Sequence, residues 1–168
     1  LSKVYEQIDM VTTPDGAAVA MVHCNNCTSD INAWVNIFKE FSEMMGYDID
    51  MNDLFTKLYS KALDGDADCG GLLSYNYISG EPVTGFDKGA PLFVRTADAK
   101  FTLGNVMRMH LYSALAALKS GLDILINEEG VKVDKMYGHG GYFKTKGVGQ
   151  KFAAAAIHAP VSVMETIA

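Results

Sequence analysis

Residues 137–161, YGHGGYFKTKGVGQKFAAAAIHAPV, place five glycines between a strand pattern and an alanine-rich helix pattern. Gly138, Gly140 and Gly141 lack Cβ atoms, so a nucleotide could lie directly against the backbone there. The pattern is not G-x-G-x-x-G, because residue 143 is Phe, and no Gly-Lys-Ser/Thr follows as in a P-loop. The spacing alone leaves a nucleotide-binding turn open and favours an ordinary turn.

A second polar cluster, NNCTSDIN at residues 25–32, lies between an apolar strand pattern and the start of a helix. Asn26, Thr28, Ser29 and Asp30, together with the unpaired N–H groups of a helix N-terminus, could hold a phosphate group. The same residues could equally form an elaborate N-cap. The cluster by itself supports both interpretations.

Cys24 and Cys27 form a Cys-x-x-Cys pair, which is typical of redox sites and of half a zinc site. A zinc site needs four ligands, and neither the remaining cysteine nor the other histidines show a paired spacing. Redox pairs usually begin a helix, whereas here a strand pattern enters the motif. Structural thiols are favoured, and a binding or redox module that uses Cys24 and Cys27 stays as the alternative function.

The segment DGDADCGG imitates the start of a calcium-binding loop, with Asp64, Asp66 and Asp68 at the right intervals. Cys69 occupies the position that requires glycine, and Tyr75 occupies the position that requires glutamate. We therefore exclude a calcium loop. No Ser–His–Asp order or carboxylate pair is present either, so we assign no catalytic and no metal-binding residue to this chain.

Hydrophobic periodicity predicts the elements that would position these clusters. A β-hairpin is expected near the N-terminus, with its turn at residues 14–16. Apolar residues at every third or fourth position predict a helix over residues 31–46, with Ser29 or Asp30 as its N-cap. A second helix follows, and Asn52 is predicted to cap it.

The rest of the chain alternates strand and helix patterns, which is typical of an α/β domain. The predicted elements are a strand at 72–78, a loop at 79–91, a helix at about 97–127, a strand at 133–140, a helix at 149–158 and a strand within 159–165.

The composition bounds the class of protein. The chain of 168 residues, 49% hydrophobic and 20% charged, fits one globular domain over residues 1–168. A net charge of −6 argues against a nucleic-acid partner, and no run of eighteen apolar residues predicts a membrane span. Three cysteines and no apolar leader indicate reduced thiols in the cytoplasm.

Taken in order, the motifs resemble the C-terminal domain of the FGGY carbohydrate kinases over nearly the whole chain. Residues 77–81, YISGE, match a strand end of that family, and residues 138–141 match its adenosine-binding glycine turn. Residues 160–161, Pro-Val, match the strand that follows. Trp34 matches a tryptophan in the helix whose preceding turn approaches the ATP phosphates in relatives.

The resemblance implies an α/β domain of the RNase H/actin-like ATPase kind, with a mixed sheet flanked by helices. It implies transfer of the ATP γ-phosphoryl group to a sugar hydroxyl, most simply of a ketopentose such as xylulose. Mg²⁺ is expected to bind mainly through ATP and the other lobe. The residues expected at the adenosine are Gly138, His139, Gly140, Gly141 and Phe143, and those expected to face the phosphates are Asn26, Thr28, Ser29 and Asp30.

Several residues depart from the family pattern, which leaves the sugar open: His139 replaces a glycine, Gly141 an alanine, and Pro82 an arginine. The Asp-x-Gly-Thr phosphate loop is absent, as are the sugar contacts and the catalytic aspartate of the N-terminal lobe. We therefore expect this chain to be most of a C-terminal lobe that meets the sugar through the other lobe and is inactive alone. A homodimer stays open.

Overall fold

A computed structural model of the protein describes residues 1–164, as four helices and three two-stranded sheets with several short 3₁₀ turns. The strands are β1 (Asp9–Thr12), β2 (Ala18–Met21), β3 (Leu72–Tyr75), β4 (Leu92–Arg95), β5 (Met136–Gly138) and β6 (Val161–Val163). The helices are α1 (Ser29–Met44), α2 (Met51–Lys61), α3 (Leu103–Asp123) and α4 (Val148–Ile157). No helix within residues 1–164 is long and apolar enough to cross a membrane.

The predicted N-terminal hairpin is confirmed. β1 and β2 pair antiparallel, and the Thr13 N–H donates to the Ala17 carbonyl at 2.9 Å across the turn. Gly16 adopts φ +88°, a conformation that glycine reaches without strain.

Helices α1 and α2 are confirmed, but both predicted N-caps are wrong. α1 begins after Thr28 with no side-chain cap, because the Asp30 side chain turns towards α3 instead. The carboxylate of Asp50, not the amide of Asn52, caps α2 by accepting the Asp53 N–H at 3.0 Å. Two polar residues so close in sequence compete for the same role, and periodicity does not distinguish them.

Strand β4 was not predicted. It pairs antiparallel with β3 and occupies residues just before the predicted long helix. The long helix, predicted from about residue 97, begins only at Leu103, because the Thr102 hydroxyl caps it there by accepting the Asn105 N–H at 3.3 Å. It ends in a π-helical turn, Ile124–Glu128.

Helix α3 is the centre of the domain, because helices α1, α2 and α4 and strand β3 all pack against it. Met107 and Leu111 on its inner face are fully buried, together with Val35 of α1. On another face, a Cβ atom at Gly121 would lie 2.4 Å from Val22 Cγ1, so the chain after β2 packs tightly onto the helix at that point. Glycine at residue 121 is a packing requirement.

Strands β5 and β6 are parallel and are joined by α4, in the strand–helix–strand order predicted for the last third of the chain. Both strands are shorter than predicted. Glu165, the last residue of the predicted final strand, lies outside the described residues.

The β3–β4 sheet packs one face on α3 and presents the other to solvent. The solvent face carries two cross-strand pairs of apolar side chains, Leu73 with Val94 and Tyr75 with Leu92. These four side chains are between 43% and 59% exposed.

His110 of α3 is buried at the contact with α1, with only 1% of its surface exposed. Its Nδ1 lies 3.5 Å from a carboxylate oxygen of Asp30, its ring centroid lies 5.0 Å from that of Trp34, and neither ring nitrogen makes a hydrogen bond. Burial lowers the pKa of His110 to about 4, and burial raises the pKa of Asp30. The imidazole is therefore neutral at pH 7.

We expect the stability of the chain to fall as the pH falls from 6.5 towards 4, because His110 takes up a proton in the unfolded state before it does so in the folded state. The loss in the free energy of unfolding is on the order of 3 kcal/mol. The raised pKa of Asp30 offsets part of this loss at the acid end, because the folded state takes up that proton more readily than the unfolded state does. Urea unfolding at a series of pH values measures it. His110→Phe should flatten the profile, whereas His158→Asn, at an exposed site, should not; an unchanged profile in His110→Phe contradicts the assignment.

Candidate functional site

Two cavities flank the glycine turn that joins β5 to α4. One, of about 360 Å³ and called here the polar cavity, lies between this turn and helices α1 and α2. The other, of about 440 Å³ and called here the apolar cavity, lies between β5, the chain after β2, and helices α3 and α4. The residues that line the polar cavity are Thr28, Asn32, Asn52, Phe55, Thr56, Tyr59, Gly141, Lys144 and Thr145.

The glycine turn leaves its backbone open at two positions. A Cβ atom at Gly140 or Gly141 would meet no heavy atom within 4 Å, and Gly140 adopts φ +94°. Gly138 differs, because a Cβ there would lie 2.6 Å from the ring of Phe143. Gly140 and Gly141 can therefore accept a ligand against bare backbone, whereas Gly138 makes room for an internal aromatic ring.

Tyr142 anchors the turn to the core. Its side chain is buried, and its hydroxyl donates to the Leu111 carbonyl of α3 at 3.0 Å. Burial raises the pKa of Tyr142, so the phenol stays protonated and remains a donor. A Cβ at Gly149 would lie 2.4 Å from the Tyr142 carbonyl oxygen, so the start of α4 also requires glycine. The turn is thus held from both sides.

The approach to α1 is fixed by a buried polar network around Glu81, which has no exposed surface. One carboxylate oxygen accepts the Asn25 N–H at 3.2 Å, and the other accepts the Asn26 N–H at 3.0 Å and its side-chain amide at 3.2 Å. The Asn26 side-chain oxygen accepts the N–H groups of Ile78 and Ser79 at 2.9 and 3.0 Å. Asn26 is itself 2% exposed, so its side chain binds the 78–81 segment rather than facing open space.

Asn76 completes this network. Its side-chain amide donates to the carbonyls of Asn26 and Cys27 at 3.2 and 3.0 Å. The segment between β2 and α1 therefore has backbone N–H and C=O groups held by side chains from the chain that follows β3. Such multiple anchoring fixes the position at which α1 begins.

The structure brings some of the predicted site residues together and separates others. Thr28 and Gly141, far apart in sequence, line the same polar cavity. Asn26 is engaged by Glu81, Asp30 faces His110, and Ser29 is exposed outside both cavities. Three residues that were predicted to lie at the adenosine line the apolar cavity instead: Gly138, His139 and Phe143.

Sequence reasoning missed the polar residues of α1 and α2 that face the polar cavity, Asn32, Asn52 and Thr56. Asn52 was predicted only as a cap, and the period of the two helices points to their apolar faces. Lys144 was missed as well, although it lies only three residues after Gly141. A basic side chain beside a glycine turn is a usable signal for an anionic ligand.

Cys24 and Cys27 are free thiols that line the apolar cavity. Burial, with a smaller contribution from the negative charge of Glu81, raises the pKa of Cys24 to about 11. Cys27 is exposed as a residue, yet desolvation raises the pKa of its thiol too. A redox cysteine needs a lowered pKa to form the thiolate, so this environment does not favour a redox site.

The model of the FGGY family of carbohydrate kinases, C-terminal domain, matches residues 2–168. No curated protein matches the sequence.

Among solved structures, the chain resembles xylulose kinase from Bifidobacterium adolescentis, with a TM-score of 0.69, 17% identity, and coverage of 96% of this chain and 29% of that one. Xylulose kinase from Rhodospirillum rubrum has a TM-score of 0.65 and 18% identity, with coverage of 94% of this chain and 30% of that one. Gluconate kinase from Lactobacillus acidophilus has a TM-score of 0.55 and 20% identity, with coverage of 78% of this chain and 26% of that one. The fold is thus the α/β, RNase H/actin-like ATPase domain that was expected. The chain spans about three tenths of the length of the xylulose kinases it resembles.

Glu81→Gln should destabilise the domain by about 3 kcal/mol, because the new NH₂ group must face one of the N–H donors that the carboxylate now accepts. Urea unfolding measures the loss. Glu40→Gln, on the exposed face of α1, serves as the matched control and should change stability by less than about 0.5 kcal/mol. Equal stability of the two variants would show that the buried network does not hold this segment.

Proposed function

The chain belongs to the FGGY family of carbohydrate kinases, whose C-terminal domain it forms, and we propose that it is the ATP-binding lobe of a sugar kinase. The parent enzyme transfers the γ-phosphoryl group of ATP to a sugar hydroxyl. The observation that carries this proposal is the meeting of Thr28, at the start of α1, with Gly141 of the glycine turn in one polar cavity.

The polar cavity has the chemistry that a nucleotide needs. Gly141 leaves open backbone for the adenosine, and Phe55 of α2 offers an aromatic surface to a base. The hydroxyl of Thr28 and the ammonium of Lys144 suit the phosphate end, where charge must be balanced. We therefore assign the phosphates to Thr28 and Lys144 rather than to Asn26 or Asp30, whose side chains are engaged elsewhere.

In phosphoryl transfer the protein contributes mainly positioning and charge stabilisation. The part proposed for this lobe is to orient ATP from a fixed turn and a fixed helix start, both anchored to the core. Mg²⁺, held mainly by ATP oxygens, would neutralise the charge that develops on the phosphates. The other lobe of the parent would bind the sugar and supply the base that deprotonates the sugar hydroxyl.

The sugar proposed is a ketopentose such as xylulose. The support is the likeness to two structures described as xylulose kinases. A gluconate kinase is among the similar structures as well, so an acidic sugar is the comparison substrate in any assay of the parent. The acidic net charge and reduced thiols suit a cytoplasmic enzyme without a nucleic-acid partner.

Gly141→Val should weaken the binding of Mg²⁺-ADP to the chain by at least about tenfold, because the new side chain enters the polar cavity without meeting other protein atoms. Gly140 is a poorer test position, because its positive φ would strain any other residue. An amide NMR titration carried to millimolar ADP measures the affinity. Lys146→Val, in the same loop but outside the cavity, is the control, and unchanged affinity in Gly141→Val removes the turn from the site.

The 168-residue chain alone should show no sugar kinase activity, because neither the sugar contacts nor a catalytic base are assigned to it. A coupled assay with xylulose, gluconate and other sugars, with the parent enzyme as the positive control, measures this. Phosphorylation of any of these sugars by the purified chain would contradict the division of roles between two lobes.

A further inference from the structure

A groove lies between the first turns of α1 and the sheet formed by β3 and β4. Its volume is about 290 Å³, and it is called here the α1–β4 groove. Among the described residues, none lines both this groove and either the polar or the apolar cavity. The lining residues that matter for a ligand are Asp30, Trp34 and Ile37 of α1, and Leu92 and Phe93 of β4.

The carboxylate of Asp30 lies in this groove without a counter-charge. Only 10% of its side-chain surface is exposed. Within residues 1–164 it accepts no hydrogen bond from the start of α1 and forms no ion pair with a lysine or an arginine. The ring of His110 lies beside it, but that imidazole is neutral at pH 7 because burial lowers its pKa to about 4. A buried carboxylate costs free energy unless a donor or a cation satisfies it, and burial raises the pKa of Asp30 for this reason.

The walls beside this carboxylate are aromatic and aliphatic. The indole of Trp34 is held between two other rings, with centroid distances of 5.9 Å to Phe93 and 5.0 Å to His110. Ile37 and Leu92 are each 55% exposed, so a ligand can reach the groove from solvent. An indole attracts a cation, and aliphatic walls take a hydrocarbon chain out of water.

We propose that the α1–β4 groove binds a small primary alkylamine, with its ammonium group on Asp30 and its hydrocarbon chain against Trp34 and Ile37. An alkylammonium ion supplies both the positive charge and the N–H donors that the carboxylate lacks. Mg²⁺ and Ca²⁺ fit less well, because they need several oxygen ligands and no group of three or more candidate ligands occurs within residues 1–164. A neutral apolar molecule would fill the groove and leave the buried charge unsatisfied.

Trp34 is the only tryptophan of the 168-residue chain, so its fluorescence reports directly on this groove. n-Butylammonium, added at neutral pH and constant ionic strength, should change the emission of Trp34 along a saturable curve. The neutral n-butanol and the anion butyrate should bind at least about tenfold more weakly, because neither brings a positive charge to Asp30. Equal affinity for n-butanol, or an emission change that does not saturate, overturns the proposal.

A lysine side chain of a partner protein carries the same ammonium group, and Nα-acetyl-lysine methylamide tests for that source. It should bind less tightly than n-butylammonium, because its two peptide groups would lie against the apolar side chains of Ile37 and Leu92. Tighter binding of the lysine derivative would assign the groove to a protein partner and would overturn the proposal of a small amine.

Two variants tie the binding to the charge and to the groove. Asp30→Asn keeps the shape of the side chain and removes the charge, so it should weaken n-butylammonium binding at least about tenfold, whereas Glu40→Gln, at an exposed position of α1, should not. Ala33→Leu places a larger side chain in the groove and should also weaken binding, whereas Asn36→Leu, exposed on α1 outside the groove, should not. Full affinity in Asp30→Asn overturns the proposal; if that variant does not fold, full affinity in Ala33→Leu does so.

Binding of an amine at this groove does not depend on the nucleotide assignment. ADP binding is read at the polar cavity through Gly141, whereas amine binding is read through Trp34. Failure of amine binding leaves the ADP titration unchanged, and failure of ADP binding leaves the fluorescence titration unchanged.

Discussion

The buried carboxylate of Glu81 is the constraint on which the candidate site depends. A fully buried charge is costly unless its oxygens are well satisfied, and here three N–H groups from Asn25 and Asn26 satisfy them. Those donors lie in the segment just before α1, so the hydrogen bonds that stabilise the carboxylate also fix the position at which the helix starts. The YISGE motif thus affects the polar cavity without lining it.

The glycine turn works on two sides. Gly141 opens towards the polar cavity, whereas Gly138 and Phe143 form part of the apolar one. The turn therefore separates a cavity with a mainly polar lining from a cavity with a mainly apolar lining. Tyr142, between them, ties the turn to α3 through the hydrogen bond that its hydroxyl donates to the Leu111 carbonyl.

Sequence patterns predicted the elements with strong periodicity and missed those that depend on tertiary partners. The hairpin, α1, α2, α3 and α4 have clear periods or turns, and they are present. β4 has only four residues, and it is a strand because it pairs with β3, a long-range contact that its own sequence does not show. The family resemblance located the glycine turn. The sequence around Asn26 gives no sign of its hydrogen bonds to Glu81, which lies more than fifty residues away. The prediction of Asp30 as an N-cap of α1 was wrong for the same reason, because its partner His110 lies on another helix.

The exposed apolar face of the β3–β4 sheet bears on how the chain behaves at high concentration. Two molecules can bring the faces formed by Leu73, Tyr75, Leu92 and Val94 together, which removes apolar surface from water. The net charge of −6 opposes that approach over roughly a Debye length, about 10 Å at 0.1 M salt. Colloidal stability of the isolated chain is therefore a balance between one uncovered sheet and a long-range repulsion, and added salt or a pH near 5 shifts it towards association.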